Sequence, residues 1–248
     1  MKKLWIPCVC LVLLFALASC TNPTSPAVSN SAPAGGTPPT TSAATPVPTQ
    51  AGYSIKTEYY EKTDESFELT ASYPQLEGTG YDAVNKLIED AALETINASL
   101  DYEDDGSFTT VETTGTVAYS DPGFISITFS EYYNNSLAAH PNSAFRTINI
   151  DLASGTAVAG DSLINASGDL YRALYTAAGQ QLSADFAAEI TQDDIETGYE
   201  ANAIYFTPDR IGFSIWINHA LGDHMEITLP YADAKQFMTS SAILDRFK

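Results

Sequence analysis

The sequence of 248 residues predicts an α+β fold, in which antiparallel sheets each pack against a helix. Two observations carry this prediction. Several short segments alternate apolar and polar residues, which is typical of strands with one buried face. Two longer segments instead repeat apolar residues every three or four positions, which is typical of amphipathic helices. The order of strands, helix, strands, helix and strands along the chain favours the α+β class.

The first half of the folded part is predicted to contain one helix and four strands. The helix runs from Tyr81 to Leu100, because its apolar residues from Val84 to Ile96 fall on one face. Pro74 is expected to end the first strand, and Asp121-Pro122-Gly123 is a turn signal between the second and third. The four strands are expected at Phe67–Tyr73, Phe108–Tyr119, Phe124–Tyr133 and Phe145–Leu152.

The second half repeats this style without repeating the sequence. A helix is predicted from Leu170 to Phe186, and a short helix from Tyr231 to Phe237 with Pro230 at its entrance. Pro208-Asp209 is expected to form the turn between the first two strands of this half. Those strands are expected at Ala201–Phe206, Ile211–Ile217 and Met225–Leu229. The two halves suit a single compact unit or two small modules in close contact.

The amino-terminal 20 residues are interpreted as a lipoprotein signal peptide. Lys2 and Lys3 precede an apolar run from Leu4 to Ala18, and Leu17-Ala18-Ser19-Cys20 has the form of a lipobox. A retained membrane-spanning helix is disfavoured, since it needs about 20 apolar residues and this run is shorter. We therefore expect cleavage before Cys20 and attachment of lipid to its thiol. This would anchor the protein to the cell membrane and expose it on the extracytoplasmic side.

The residues after Cys20 are predicted to form a disordered tether from position 21 to 50. They are almost all Thr, Ser, Pro, Ala, Asn and Gly, without charged or aromatic side chains, so they cannot bury enough apolar surface to fold. The other cysteines, Cys8 and Cys10, lie in the segment that would be removed. The folded domain is thus expected to have no disulfide and to depend on an ordinary hydrophobic core.

The net charge argues against polyanionic partners. The chain has 31 acidic and 11 basic residues, and loss of Lys2 and Lys3 would leave nine basic residues and a net charge of −22. Nucleic acids and anionic lipids need a basic surface, so neither is expected to bind. A strongly negative surface favours a cationic partner, although it also serves solubility alone.

One acidic segment resembles a calcium-binding loop. Asp101-Tyr102-Glu103-Asp104-Asp105-Gly106 follows a predicted helix, and Glu112 stands at the twelfth position. Glu103 is longer than the usual ligand at the third position, and the segment that follows predicts a strand instead of a helix. We therefore favour a solvated acidic turn, with calcium binding as the alternative.

No pattern of catalytic or zinc-binding residues is found. His219 and His224 are five residues apart beside Asp223, which is not a His-Glu-x-x-His arrangement. The chain lacks a Gly-x-Ser-x-Gly motif, and paired carboxylates such as Asp193-Asp194 carry little information in so acidic a chain. We therefore expect no enzyme activity, no cofactor and no metal.

Two tyrosine pairs draw attention to the sheet surface. Tyr59-Tyr60 and Tyr132-Tyr133 place adjacent rings on opposite faces of a strand, so one ring of each pair faces outward unless both faces are covered. Tyrosines are common in protein interfaces and in contacts with sugars.

Residues 51–160 resemble the amino-terminal module of PdaC-type deacetylases. The resemblance rests on Tyr73-Pro74 followed by a helix through Asn85, on Ser126-Ile127-Thr128-Phe129-Ser130, on Ala139-His140-Pro141, and on Asn149-Ile150-Asp151-Leu152. It implies a structural turn at His140 and Pro141. The chain has no deacetylase domain, so the chemistry of those enzymes is not implied.

Residues 161–248 resemble the carboxy-terminal module of RsiV-type anti-sigma factors, which sense lysozyme. The resemblance rests on Tyr205-Phe206-Thr207-Pro208-Asp209, Gly222 and Ile227-Thr228-Leu229-Pro230-Tyr231. It implies structural roles for Pro208, Asp209, Pro230 and Tyr231. Because the sequence has no sigma-binding segment, an anti-sigma role is not implied.

Together these features predict a cell-surface lipoprotein with a non-catalytic binding domain. The resemblance implies a module that binds lysozyme or cell-wall material, and a lysozyme-like cationic protein is the favoured partner. The first alternative is an accessory or envelope-stress module that binds cell-wall glycan, and the second is a hydrolase of that glycan.

Overall fold

The structure is a computed structural model that describes residues 52–100, 106–239 and 243–247. The predicted signal peptide, its Cys20 and the predicted tether lie outside the described residues. The described residues all belong to one compact unit. None of the helices among them is both long enough and apolar enough to cross a membrane.

The first half of this unit is a six-stranded sheet covered on one face by two helices. The strands follow one another across the sheet in chain order, and all neighbours are antiparallel except β2 and β3, which are parallel. The helices α1 and α2 lie between β2 and β3 in the chain, as a crossover between parallel strands requires. The elements are β1 (Ser54–Thr63), β2 (Phe67–Glu77), α1 (Asp82–Ala92), α2 (Glu94–Leu100), β3 (Thr109–Asp121), β4 (Phe124–Asn135), β5 (Asn142–Asp151) and β6 (Thr156–Ala157).

The second half is a three-stranded antiparallel sheet with helices before and after it. Its strand order is β7-β8-β9. Short 3₁₀ turns at Gly160–Ser162, His219–Leu221 and Leu244–Phe247 complete it. The elements are α3 (Gly168–Gln181), α4 (Ala184–Glu189), α5 (Gln192–Gly198), β7 (Tyr199–Phe206), β8 (Arg210–Trp216), β9 (His224–Pro230) and α6 (Tyr231–Ala234). The mixed architecture confirms the predicted α+β class.

Each half has its own hydrophobic core. In the first half, Ile88 and Ile96 of the helices pack on the sheet beside Val111 and Phe129, and all four side chains are fully buried. In the second, Leu170 and Leu174 of α3 pack on the sheet around Phe213.

Polar side chains of the first sheet bind the backbone of β7. The amide of Phe206 donates to Ser126 Oγ (3.0 Å), and Asn149 Nδ2 donates to the carbonyl of Ile204 (2.7 Å). Thr147 Oγ1 donates to the same carbonyl (2.8 Å). These bonds fix the second half against β4 and β5.

The expectation that Pro74 ends its strand is wrong. β2 continues to Glu77, and Pro74 stands opposite Thr57 of β1. The pairing of β2 with β3 ends at Ser72, two residues earlier, so Pro74 interrupts no ladder on that side.

Both long helices that the sequence predicts are divided. Leu93 separates α1 from α2, and α4 begins at Ala184 after α3 has ended at Gln181. Ser183 accepts a hydrogen bond from the amide of Phe186, which makes it an N-cap. Apolar periodicity continues across both breaks because the short helices remain on the same core.

Candidate binding surface

One face of the six-stranded sheet has no covering layer over much of its area. Paired residues of neighbouring strands point to the same side, and successive residues alternate between sides. On one side, Leu69, Val111 and Phe129 are buried against the helices. The other side, here called the open sheet face, contains no buried residue over 14 positions. These are Tyr59, Glu61, Thr63, Glu68, Thr70, Ser72, Thr110, Glu112, Thr114, Thr116, Thr128, Ser130, Tyr132 and Asn134.

Two tyrosines project from the open sheet face. Tyr59 of β1 is 77% exposed and Tyr132 of β4 is 38% exposed, whereas their neighbours Tyr60 and Tyr133 pack against the helix-side core. This confirms that one ring of each pair faces outward. Three strand spacings of about 4.8 Å separate β1 from β4, so the two rings stand roughly 15 Å apart.

The open sheet face is acidic. Its charged residues are Glu61, Glu68 and Glu112, and it contains no lysine or arginine. The pairing registers place Glu61, Thr70, Glu112 and Tyr132 in one row across four strands. In this row Thr70, whose hydroxyl both donates and accepts hydrogen bonds, lies between the two carboxylates, and Tyr132 stands directly beside Glu112.

A buried ion pair stiffens the sheet behind this face. Glu131 of β4 is 6% exposed, and it accepts hydrogen bonds from Arg146 Nε of β5 (3.0 Å) and from Thr95 Oγ1 of α2 (2.9 Å). Arg146 Nη2 also donates to the carbonyl of Ala91 (2.8 Å). Burial alone would lower the pKa of Arg146, but Glu131 and Glu94 raise it, so the guanidinium stays charged. The pair joins both helices to the centre of the sheet.

His140, which the sequence places in a structural turn, lies in a contact between two loops. Its ring stacks on that of His219 with a centroid distance of 3.4 Å, and His219 Nδ1 lies 2.7 Å from Asp223 Oδ1. Asp223 Oδ2 accepts from the amide of Ser143 (2.7 Å). Burial would raise the pKa of Asp223, but these two partners lower it. The loop after β4 is thus held against the loop before β9.

Asp223 adopts an unusual backbone conformation in this contact. Its φ of 71° lies in the left-handed region, which non-glycine residues seldom adopt. Two hydrogen bonds to its carboxylate hold it there. Pro141 is exposed, and its carbonyl oxygen lies 3.2 Å from His140 Nδ1.

The other motif residues lie around the β7–β8 turn. Pro208 and Asp209 are exposed at its tip, and Thr207 Oγ1 lies 3.3 Å from Asp209 Oδ1. Pro230 ends β9, and the hydroxyl of Tyr231 donates to the carbonyl of Thr207 (2.5 Å). Tyr231 therefore ties the start of α6 to this turn.

The structure describes both histidines of the alternative zinc site but only part of the alternative calcium loop. Residues 101–105 of the acidic loop lie outside the described residues, and Glu112 belongs to β3, as the predicted strand requires. His224 pairs with Trp216 in the β8–β9 ladder, while His219 lies in the preceding loop. In the described ranges, no three His, Cys, Asp or Glu side chains are grouped to hold a metal ion.

Sequence reasoning did not find the open sheet face as a surface. It singled out the pairs Tyr59-Tyr60 and Tyr132-Tyr133 but not which ring of each is exposed, and Glu61 and Glu112 join Tyr59 and Tyr132 only through the parallel pairing of β2 with β3. The polar residues Thr110, Glu112 and Thr114, each two positions from the next, were the available signal of a strand with a polar outer face.

Comparison with known proteins identifies the fold. No protein-family model and no curated protein sequence matches the chain. A crystal structure of a DUF3298 family member from Bacteroides fragilis is similar, with a TM-score of 0.53, 15% identity, and coverage of 80% of this chain and 98% of that one. A DUF3298 family protein from Pseudomonas aeruginosa has a TM-score of 0.51, 13% identity, and coverage of 75% and 94%. The chain therefore has the fold of the DUF3298 proteins, which is consistent with the resemblance to PdaC-type and RsiV-type modules.

Proposed function

We propose that the protein is a lipoprotein, anchored to the cell membrane through Cys20, whose non-catalytic extracytoplasmic domain binds a cationic protein of the lysozyme type. The observation that carries this proposal is the open sheet face, which is uncovered and acidic and bears two exposed tyrosines. The likeness to DUF3298 structures supports the fold of such a module but not its ligand.

Charge supports a basic partner. The whole chain has a formal net charge of −20, and the open sheet face has three glutamates without a basic residue. Complementary charge accelerates association and discriminates against anionic competitors. The Debye length is about 8 Å at physiological ionic strength, so the attraction acts mainly at close range and weakens further with added salt.

The tyrosines supply the contacts that charge alone does not. Tyrosine is enriched among the residues that dominate binding energy, since its ring buries apolar area while its hydroxyl keeps a polar partner. The face spans four strands and about six residues of each, or roughly 20 Å by 20 Å. A standard interface buries about 800 Å² per partner. We therefore expect the partner also to contact the rim, where Leu137 is exposed in the loop that follows β4.

A second candidate ligand is cell-wall glycan. Eight threonine and serine hydroxyls lie on the open sheet face around the two tyrosines, and such groups suit the hydroxyls and faces of sugars. A neutral glycan differs from a basic protein in one measurable respect, because its binding depends little on salt.

Pull-down with full chain in membrane vesicles distinguishes these ligands. We expect capture of a basic lysozyme at about 20 mM salt and at least tenfold weaker capture at about 500 mM, where the Debye length falls below 5 Å. Absence of capture at low salt contradicts the protein ligand. Salt-independent binding to purified sacculi, without lysozyme, supports the glycan instead.

The anchor needs its own test. Cells that express the full chain are fed a clickable fatty acid, and the labelled protein is measured in the membrane fraction. We expect Cys20→Ala to lose both the label and the membrane association, whereas Cys8→Ala retains both. Equal labelling of Cys20→Ala and the unsubstituted chain would contradict lipid attachment at Cys20.

A further inference from the structure

The outer edge of β1 is long and carries charged side chains. β1 has ten residues and stands at the end of the sheet, with β2 as its neighbour. No strand in the described part of the chain pairs with the other edge of β1. Proteins usually block such edges with proline, a bulge or charged side chains, lysine above all. β1 has no proline, and its register with β2 runs from Ser54 to Thr63 without a shift, so only its charged side chains (Lys56, Glu58, Glu61 and Lys62) act against pairing with an unrelated strand.

We propose that this edge pairs with the same edge of a second copy of the chain. The two β1 strands lie antiparallel with Tyr60 opposite Tyr60 of the second copy, so that one sheet continues across both molecules. Such an interface is isologous, because the same segment contributes to both sides of a two-fold axis. This inference is independent of the ligand proposed above.

Charge complementarity indicates that the strand pairing with the outer edge of β1 is β1 of a second copy. In this register, Glu58 stands opposite Lys62 of the second copy and Lys56 opposite its Asp64. By symmetry each pair occurs twice, which gives four pairs of opposite charge. Directly opposed side chains of opposite charge stabilise antiparallel pairing, and like charges destabilise it.

The neighbouring registers lack this match. Around Tyr60, even-numbered residues of β1 point to the helix side of the sheet. The helices of both copies therefore lie on the same side of the joined sheet only if even-numbered residues stand opposite even-numbered residues. This requires the two-fold axis to pass between a residue and its own counterpart in the second copy. With the axis at Tyr59, Lys56 faces Lys62. With the axis at Glu58 or Glu61, that glutamate faces its own copy. Only the register centred on Tyr60 opposes every charge of the segment with its opposite or with a tyrosine.

Known side-chain positions are compatible with this arrangement. Lys56 and Lys62 are exposed, and Asp64 is exposed directly after β1 ends. Lys56 already pairs with Glu58 within its own strand, on the side of the sheet that also carries Lys62. The second copy would therefore extend an existing row of alternating charges.

Edge pairing alone buries less area than a standard interface, so we expect the dimer to be stable only where the local concentration of the protein is high. Anchoring through Cys20, as proposed above, would confine both copies to one membrane and raise their effective concentration. Their mutual repulsion, from a net charge of −22 each after loss of Lys2 and Lys3, is screened beyond about 8 Å at physiological salt.

A cysteine scan tests the register. All cysteines of the chain lie in its first 20 residues, so a cysteine in β1 has no partner in its own folded domain. Opposed Cα atoms in an antiparallel pair are about 4.5–5.5 Å apart, within the range that a disulfide spans. We expect Tyr60→Cys in the full chain, oxidised in membranes, to give at least tenfold more disulfide-linked dimer than Thr57→Cys. The residue at position 57 lies six positions from its counterpart in this register. Equal cross-linking of the two variants would overturn the proposal.

Charge exchange gives an independent test that leaves the half-buried Tyr60 intact. Glu58→Lys and Lys62→Glu should each reduce dimer formation at least fivefold in full chain reconstituted into membrane vesicles, measured by energy transfer between fluorescently labelled copies. The double variant should recover it, because the opposed charges are restored with reversed sign. Lys86→Glu is the matched control, since Lys86 is exposed on α1, far from β1 in the chain, and pairs with Asp90 of the same helix. A monomeric unsubstituted chain, or a double variant no better than the single ones, would refute the pairing.

Discussion

Removal of the Arg146 side chain should destabilise the fold more than removal of any exposed cation. In Arg146→Ala, Glu131 keeps its buried position and its bond to Thr95 Oγ1 but loses its counter-charge. An uncompensated buried charge costs about 3–5 kcal/mol. For a chain of this size, that lowers Tm by roughly 6–20 °C, at about 2–4 °C per kcal/mol.

The assay is thermal unfolding followed by circular dichroism at pH 7. Arg172→Ala is the matched control, because Arg172 is 66% exposed and pairs with the exposed Asp169. Such surface pairs contribute about 0–1 kcal/mol. Arg146→Met combined with Glu131→Leu should recover most of the lost stability, since two apolar side chains leave no buried charge. If Arg146→Ala and Arg172→Ala had the same Tm, the buried pair would not hold the helices on the sheet.

Three further variants test other parts of the structure. Gly160→Ala should lower the free energy of unfolding by about 3 kcal/mol, because its Cβ would lie 1.6 Å from the carbonyl oxygen of Ala201. Gly179→Ala in α3 should instead raise it by about 0.5–1 kcal/mol. Urea unfolding measures both, and equal effects would contradict the close contact at Gly160. Tyr231→Phe should cost about 1 kcal/mol by the same assay, because the carbonyl of Thr207 loses its hydroxyl donor, and an unchanged midpoint would remove that role. Burial would raise the pKa of Asp121, but the amide of Gly123 and the guanidinium of Arg246 lower it. Its contribution to the stability of the fold is therefore present above pH 4 and is lost as the pH falls below that value. Asp121→Asn should reduce the loss of stability between pH 5 and pH 2, and an unchanged dependence of stability on pH would contradict this.

Much of the fold could be predicted because it depends on local patterns. Asp121-Pro122-Gly123 joins β3 to β4 as expected, and the amide of Gly123 donates to Asp121 Oδ1 (2.7 Å) to hold the turn. The strands of the second half were also placed to within two residues of their observed ends. Alternation and turn residues suffice for such elements, since each is decided by neighbours in the chain.

The structural features that the sequence did not predict depend mainly on contacts between residues far apart in the chain. The parallel pairing of β2 with β3 joins Thr70 to Glu112 across 42 positions, and no local signal specifies it. The break at Leu93 leaves the apolar periodicity intact, so a single helix was the natural reading. Likewise, His140 gave no sign that it would stack on His219, which is 79 residues away.

The open sheet face gives the central claim its most direct test. Glu61→Gln combined with Glu112→Gln removes two of its three carboxylates without changing side-chain shape, and Glu189→Gln with Glu196→Gln, both exposed on other elements, is the matched control. Rim and face charges act mainly on the association rate. We predict that the association rate of the full chain with a basic lysozyme, measured by biolayer interferometry at low salt, falls at least fivefold in the first variant and less than twofold in the control. Equal rates for the two variants would contradict the open sheet face as the binding surface.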